Sequence, residues 1–169
     1  MTRFFRIVLC LSALVAFAGP APAAPRPWRA NDRPPAVAGL NLGDSEQQVI
    51  SALGTPDSVA KTELGDQLDY RTRGLEVIVA KDGVCEIHLM SAAAGDIDGV
   101  KIGDSAQDVV LKWGAPKGGQ GRTAIFGGRD WGIAVQLADK SPDIVDLALA
   151  RDSLLAAKQA PQLNVFTTQ

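Results

Sequence analysis

Hydrophobic and polar positions along this chain follow a pattern that occurs twice. The segment GLNLGDS at 39–45 is matched by GVKIGDS at 99–105, sixty residues later. Each copy continues into apolar residues at helical spacing, and these stretches end alike, in LGTP at 53–56 and WGAP at 113–116. Recurrence at constant spacing indicates an internal structural repeat, because each copy has the same apolar face to bury.

The polar and apolar residues of each copy predict a short capped helix. Asp44 with Gln47 resembles a capping box, and the apolar residues within 49–53 share one helical face. Gly54 and Pro56 then end the helix. The second copy repeats these features with Asp104, Gln107, Val109, Val110, Trp113, Gly114 and Pro116.

After each helix, the pattern changes to alternation and predicts β-strands. The strands expected in the first copy are 67–71, 75–80 and 84–90, with turns at 72–74 and 81–83. Those expected in the second copy are 123–126, 132–137 and 144–150, with turns at 127–130 and 139–142. The chain is therefore predicted to be an α+β protein of two tandem repeats, each a short helix packed on a three- to four-stranded antiparallel sheet.

Alternation within the last strand of each copy assigns its two faces. Cys85, Ile87 and Leu89 are predicted to lie under the helix. Glu86 and His88 then face solvent or a partner. The second copy matches these positions with Val145, Asp146, Leu147 and Leu149.

The beginning of the chain is typical of a secretory signal peptide. Arg3 and Arg6 precede an apolar run over 7–18, and Ala21-Pro22-Ala23 offers a cleavage site, so residues 1–24 are expected to be removed. A cut after Ala18 and a retained anchor are the alternatives. Cys10 lies inside the apolar run, which argues against lipidation. We expect a periplasmic or secreted bacterial protein without a transmembrane anchor after cleavage.

The remaining chain divides into four predicted segments. Residues 25–38 form a proline-rich tether, with Trp28 either docked or left over. Repeat 1 covers 39–94, repeat 2 covers 95–150, and 151–169 form a C-terminal helix and tail in which Leu154 and Leu155 face inward and 163–166 add an edge strand or remain loose.

Charge and cysteine content exclude several classes of function. The formal net charge of −2 becomes about −4 once Arg3 and Arg6 are removed, which argues against a nucleic-acid ligand. Cleavage also leaves Cys85 as the single cysteine, so no intrachain disulfide can form. The glycine-rich segment 118–122 also lacks the Lys-Ser/Thr ending of a phosphate-binding loop, and we interpret it as a flexible hairpin loop.

His88 is the only histidine and the one candidate for acid–base chemistry. With Glu86 it could serve an envelope hydrolase or bind a metal weakly, but a zinc site needs three or four ligands. A histidine on a strand surface is the simpler interpretation. Neither a metal nor a cofactor is predicted, and Cys85 is expected to be a buried small hydrophobe.

Features present in only one copy are the candidates for a specific function. Arg129-Asp130-Trp131 follows two glycines in the second copy, and tryptophan and arginine are frequent interface hot spots. Trp131 could equally begin a strand and pack in the core. The partner-binding candidates are Arg122, Arg129, Asp130, Trp131, Tyr70, Arg73, His88 and Glu86.

The Gly-x-x-x-Gly-Asp-Ser motif, short helix, Leu-Gly-x-Pro motif and meander together resemble the module of beta-lactamase inhibitor protein (BLIP). The SmpA/OmlA (BamE-like) outer-membrane assembly lipoproteins share that module. The resemblance covers 39–90 and 99–150 and implies a non-catalytic module whose sheet and loops bind another protein. The motif residues implied to be structural are Gly43, Asp44, Gly54, Pro56, Gly103, Asp104, Gly114 and Pro116. This chain lacks the disulfides of the inhibitor and the lipidated cysteine of the lipoproteins.

The sequence as a whole favours a non-catalytic protein-binding or scaffold module, in the form of an enzyme inhibitor or an envelope-assembly accessory. Its partner is expected to be another envelope or secreted protein. The alternatives are a small-ligand-binding protein, with its site between the repeats, and the hydrolase that uses His88 and Glu86.

Overall fold

The computed structural model describes residues 28–29 and 32–159, and its eight strands belong to one antiparallel sheet. The strands are Ser58–Lys61 (β1), Asp66–Tyr70 (β2), Leu75–Ala80 (β3), Gly83–Leu89 (β4), Gly118–Gln120 (β5), Thr123–Phe126 (β6), Trp131–Leu137 (β7) and Ile144–Arg151 (β8). The helices are Glu46–Leu53 (α1), Ala106–Trp113 (α2) and Asp152–Gln159 (α3), with 3₁₀ turns at Arg71–Arg73 and Ala92–Ala94. The predicted α+β class is confirmed.

The eight strands are arranged in the order β1-β2-β3-β4-β8-β7-β6-β5. Strands that follow one another in the chain pair as hairpins within β1–β4 and within β5–β8. The two groups meet where β4 pairs with β8, with Ile87 opposite Leu149 and Leu89 opposite Leu147. All eight strands therefore form a single sheet.

Both predicted helices exist, but their caps lie one residue later than the sequence suggested. Ser45, not Asp44, is the N-cap of α1: its hydroxyl accepts from the Gln48 amide, and the Gln48 side chain accepts from the Ser45 amide at 2.8 Å. Ser105 and Asp108 form the same capping box in α2. The Asp44 carboxylate instead accepts the Asn41 amide at 2.7 Å, which fixes the turn before the helix.

The two edge strands, β1 and β5, were not predicted. The glycine-rich segment was expected to be a loop, but Gly118–Gln120 pairs with β6, and only Gly121 and Arg122 form the turn. The reason is a close backbone approach: a Cβ on Gly119 would lie 2.3 Å from the Thr123 carbonyl oxygen. Glycine here permits strand pairing rather than flexibility.

A β-bulge changes the predicted face assignment in the last strand of each half. The register between β3 and β4 shifts at Ile78/Val79, so Cys85 becomes the extra residue and Val84 joins the main core in its place. The same shift between β7 and β8 leaves Val145 46% exposed, while Ile144 is buried. Strict alternation fails at a bulge because one residue is left unpaired.

The bulges lie where the Gly-Asp motifs touch the sheet. The Gly43 amide donates to the Val84 carbonyl at 2.8 Å, and the Val84 amide donates to the Asp44 carbonyl at 2.7 Å. Matching bonds at 2.9 Å join Gly103 and Asp104 to Ile144. The repeated motif therefore anchors the turn before each helix to the last strand of its half.

The main core lies between helices α1 and α2 and one face of the sheet. At one end it contains an aromatic cluster in which Trp28 packs edge-on against Trp131, with ring centroids 5.0 Å apart. Trp28 also lies 6.5 Å from Trp113, which contacts Phe126 at 5.4 Å. The part of the proline-rich segment that the structure describes is thus docked against the core.

Helix α3 covers the other face of the sheet over β7 and β8, as expected for a closing helix. Leu155 is buried in a second, smaller core cluster with Ile125 and Ala150. The predicted signal peptide (1–24) and the tail at 163–166 lie outside the described residues. Among the described helices, none combines the length and apolar character needed to cross a membrane.

Candidate functional site

The sheet face opposite α1 carries a group of polar residues, which we call the polar face. Asp69 pairs with Glu76, and Glu76 pairs with His88, so these side chains form a row across β2, β3 and β4. The group comprises Gln67, Asp69, Glu76, Glu86 and His88, with Asp146 from β8. Glu86 and His88, two of the partner-binding candidates, therefore lie on the same face of the sheet, as predicted.

An ion pair crosses the junction between the two halves of the sheet on the polar face. His88 Nε2 lies 2.7 Å from Asp146 Oδ1, and the His88 side chain is 23% exposed. The hydrogen bond to Asp146 raises the pKa of His88, against the opposing effect of burial, and the Asp146, Glu86 and Glu76 charges raise it further. The histidine therefore holds its proton more tightly than a free imidazole.

Two titratable groups of β4 are buried. Glu86 is only 1% exposed, so it cannot readily reach a substrate. Cys85 is buried as predicted, its thiol donates to the Ile78 carbonyl at 3.4 Å, and burial raises its pKa away from the reactive thiolate. No group of three or more potential ligands suited to a metal ion occurs among the residues described.

The turn at 127–131 separates its candidate residues. Arg129 and Asp130 are exposed. Trp131 is 4% exposed, packs in the core, and donates its indole hydrogen to the Asp32 carbonyl at 2.8 Å. The alternative in which Trp131 begins a strand and packs inward matches this position, since β7 starts at Trp131 and the indole is covered by Trp28.

The remaining candidates lie at separate places. Arg122 is exposed in the β5–β6 turn and donates to the Ser141 carbonyl. Tyr70 is 2% exposed, its hydroxyl donates to the Gly54 carbonyl at 3.1 Å, and burial raises its pKa. Arg73 is exposed in the turn that follows. The eight partner-binding candidates thus do not form one surface.

A polar cleft of about 640 Å³ lies beside the N-terminus of α1. Its walls include Ser45, Lys61 and Asp66, and the Lys61 ammonium is paired with the Asp66 carboxylate at 2.5 Å. The cleft belongs to the first half alone, whereas the small-ligand alternative expected a site between the halves.

An apolar pocket of about 70 Å³ under α2 was not predicted from the sequence. It is lined from three elements, by Val109, Val110, Ala124, Phe126, Val135 and Leu137. Val110 is 47% exposed at the pocket, and the next residue, Leu111, is 55% exposed. We call these two side chains and the pocket the α2 apolar surface.

The pocket results from one small residue. In the first half, Leu68 pairs with Val77, which pairs with Ile87. Ala124 and Val135 occupy the matching register positions in the second half. Leu68 is fully buried, whereas alanine at 124 leaves the space unfilled. The difference between Leu68 and Ala124 is visible only when the paired strands of the two halves are compared, and not within one strand.

No protein-family model and no curated protein matches this chain. Its fold is similar to that of an extracellular protein containing a SCP domain from Bacillus anthracis, with a TM-score of 0.60 and 13% identity over 71% of this chain and 47% of that one. A cysteine-rich secretory protein from Staphylococcus aureus gives a TM-score of 0.58 and 12% identity over 79% of this chain and 52% of that one. A DUF4309 family protein from Bacillus subtilis gives a TM-score of 0.48 and 12% identity over 68% of this chain and 83% of that one.

These matches correct the resemblance drawn from the sequence motifs. The two similar solved structures with TM-scores of 0.60 and 0.58 are an extracellular protein containing a SCP domain and a cysteine-rich secretory protein, not beta-lactamase inhibitor protein or SmpA/OmlA lipoproteins, so that assignment was wrong. The Gly-Asp-Ser and Gly-x-Pro motifs encode caps, turns and helix ends, which unrelated sheets can share. This chain spans about half the length of the first two structures, and the likeness concerns the fold.

Proposed function

We propose that this protein is a secreted, non-catalytic module that binds another envelope or secreted protein. We further propose that it is built from two copies of one helix-and-meander unit. The sequence recurrence, the matching bulges and the matching capping boxes support the second point. The signal-peptide pattern and two similar structures described as extracellular and secretory support secretion.

The α2 apolar surface is the observation that carries the binding proposal. Val110 and Leu111 expose aliphatic side chains beside an apolar pocket. At the matching positions of α1, Ile50 is 37% exposed and Ser51 is polar. A feature present in only one half is not needed to build the unit, and exposed apolar side chains that are contiguous with an apolar pocket mark an interaction site.

The non-catalytic part of the proposal rests on the polar face. Glu86 is 1% exposed, so the Glu86–His88 pair that the hydrolase alternative needs is not open to a substrate, and His88 Nε2 is already bonded to Asp146. Replacing His88 with alanine distinguishes the binding module from the hydrolase. A hydrolase that uses His88 would lose activity in this variant, whereas a binding module has no such activity to lose. An activity that depends on His88 would contradict the proposal. The inhibitor and assembly roles came from the corrected resemblance and are not retained.

Site-specific photo-crosslinking tests the binding proposal. A photoreactive residue is placed at position 111 in one sample and at position 59 in another. Leu111 and Val59 are aliphatic residues on different elements, and their exposed fractions are nearly equal, 55% and 54%. The mature chain from 25 to 169 is then irradiated in envelope extract. We expect a discrete crosslinked species from position 111 and none from position 59, competed by unlabelled protein. Equal labelling at both positions, or none, would contradict the proposal.

A further inference from the structure

The aromatic cluster at the end of the main core is completed by a segment that precedes the sheet. We call this segment, residues 28–29 and 32–37, the strap. Its Trp28 packs edge-on against Trp131, with ring centroids 5.0 Å apart. The Asp32 carbonyl accepts the Trp131 indole hydrogen at 2.8 Å, although the two residues are 99 positions apart in the chain. The strap therefore precedes the first half of the sheet but docks against the second half.

A two-residue turn joins the strap to the rest of the protein. Val37 and Leu40 exchange two backbone hydrogen bonds of 2.9 Å, and both side chains are buried. Between them, Ala38 has φ +51° and Gly39 has φ +83°. A turn with two positive φ angles favours asparagine, aspartate or glycine at its first position, because most side chains are strained there. Alanine at position 38 therefore strains the connection between the strap and the sheet.

The matching turn of the second half is less strained. Ile97 and Val100 exchange the same two backbone bonds, but the first turn position is Asp98, with φ +46°. Aspartate adopts this conformation more readily than alanine, since its side chain can hydrogen-bond locally. The segment before Asp98 follows β4, which is paired with strands on both sides and holds that segment to the sheet. The greater strain thus lies in the turn that carries the strap.

The docking of the strap also leaves one polar group unsatisfied. The indole nitrogen of Trp28 is covered and has no hydrogen-bond partner among the described residues. A buried donor without a partner costs free energy, because it loses its hydration and gains no bond in return. The strap is therefore held less tightly than its aromatic contacts alone would suggest.

We propose that two copies of this protein exchange their straps, so that Trp28 of each copy docks against Trp131 of the other. In the exchanged dimer, every contact of the strap is kept between the two copies, and only the turn at 38–39 opens into an extended connection. Opening releases the strain of that turn in both copies, and a short strained hinge favours exchange for this reason. Pro34 and Pro35 keep the strap extended, so it loses little entropy on docking.

This inference goes beyond the proposed function, because the partner is a second copy of this chain and the contact is the strap rather than the α2 apolar surface. The occupant of the aromatic cluster is fixed by the structure, since the strap already fills it. Exchange changes only which copy supplies the strap.

Light scattering of the mature chain, residues 25–169, at increasing concentration measures the dimerisation constant. Ala38→Asn should weaken dimerisation by about 25-fold, which is about fivefold for each of the two relieved turns. Ala38 is exposed, so the substitution does not disturb the core, and Ala38→Gly replaces it if the asparagine variant does not fold. Asp98→Ala is the matched control: it strains a turn that carries no strap and should leave the dimerisation constant unchanged.

Two results of this measurement would overturn the inference. One is a protein that stays monomeric at every concentration. The other is a dimerisation constant that relieving the turn at position 38 leaves unchanged, or that Asp98→Ala raises as much as Ala38→Asn lowers it.

Crosslinking in an isotope-mixed sample shows which copy receives the strap. A photoreactive residue is placed at position 29, which is exposed and next to Trp28, in an unlabelled chain. This chain is refolded together with an isotope-labelled chain that lacks the probe, and the dimer fraction is irradiated. Exchange predicts crosslinks from position 29 to labelled peptides that contain Trp131. Crosslinks confined to unlabelled peptides would overturn the inference, because each strap would then remain in its own copy.

Both measurements use the purified protein, so they do not depend on any other envelope protein. A monomeric protein that still crosslinks at position 111 in envelope extract would reject strap exchange and leave the proposed function standing. Exchange without crosslinking at position 111 would do the reverse.

Discussion

Replacing Ala124 with leucine should stabilise the protein. The added side chain would occupy the apolar pocket of about 70 Å³ among Val109, Phe126 and Val135. Most substitutions of a small by a large core residue destabilise, because the core has no room. Here the space exists, and leucine already occupies the matching position, Leu68, in the first half.

The carbons that leucine adds set the size of this effect, because the pocket is open to solvent at the half-exposed Val110. Burying three further carbons at about 0.8 kcal/mol each gives about 2.4 kcal/mol. We therefore expect Ala124→Leu to raise the free energy of unfolding by about 2 kcal/mol.

Equilibrium unfolding in urea, followed by tryptophan fluorescence, measures this change. The reverse substitution, Leu68→Ala, is the matched control and should lower the free energy of unfolding by about 3 to 5 kcal/mol. An Ala124→Leu protein that is less stable than the wild type, with an unchanged urea dependence, would refute the reasoning. The pocket would then not have the volume or shape that the Leu68 comparison requires.

Three further predictions concern other parts of the molecule. Trp28→Ala should lower the free energy of unfolding by about 2 to 3 kcal/mol, because the indole packs against Trp131 and Trp113; urea unfolding measures it. Gly83→Ala should destabilise by more than about 2 kcal/mol, since Gly83 has φ +99° and a Cβ would lie 2.3 Å from a backbone oxygen; thermal unfolding reports it. Protonated His88 should stabilise the fold fully below about pH 6.5 and lose this effect as pH rises through its raised pKa; unfolding in urea at several pH values checks this.

Each of these three predictions has its own control. Trp28→Phe should be more stable than Trp28→Ala, because phenylalanine keeps part of the aromatic contact. A Trp28→Ala protein as stable as wild type would mean that the proline-rich segment is an undocked tether. Gly118→Ala should be nearly neutral, because nothing lies within 4 Å of its added Cβ. For His88, the pH dependence should weaken in His88→Gln; an unchanged dependence would assign it to other groups.

Local signals in the sequence predicted most of the fold. Strands β2, β3, β4, β6, β7 and β8 match the predicted ranges within two residues, because alternation and turn residues marked them clearly. The bulge residues Cys85 and Val145 were assigned to the wrong face, since a bulge depends on pairing with the neighbouring strand. Strand β5 was missed because its glycines serve a close backbone approach, which no local pattern reveals.

The candidate site was less predictable than the fold. His88 and Glu86 were correctly placed on one face, but their pairing with Asp146 depends on how β4 meets β8. The apolar pocket depends on the difference between Leu68 and Ala124, which only becomes meaningful once the register of both halves is known. The family assignment failed because motifs that encode caps and turns carry little information about ancestry or partner.

The junction between β4 and β8 also has a consequence for the order of folding. Every other strand pair in the sheet joins neighbours in the chain, whereas Leu89 and Leu147 are 58 residues apart. Because closing a long loop costs more chain entropy than closing a hairpin, we expect each half to form its meander first and the junction to form last. Removing the His88–Asp146 ion pair, which crosses this junction, should then accelerate unfolding and leave the refolding rate unchanged, whereas substitutions within a hairpin should slow refolding.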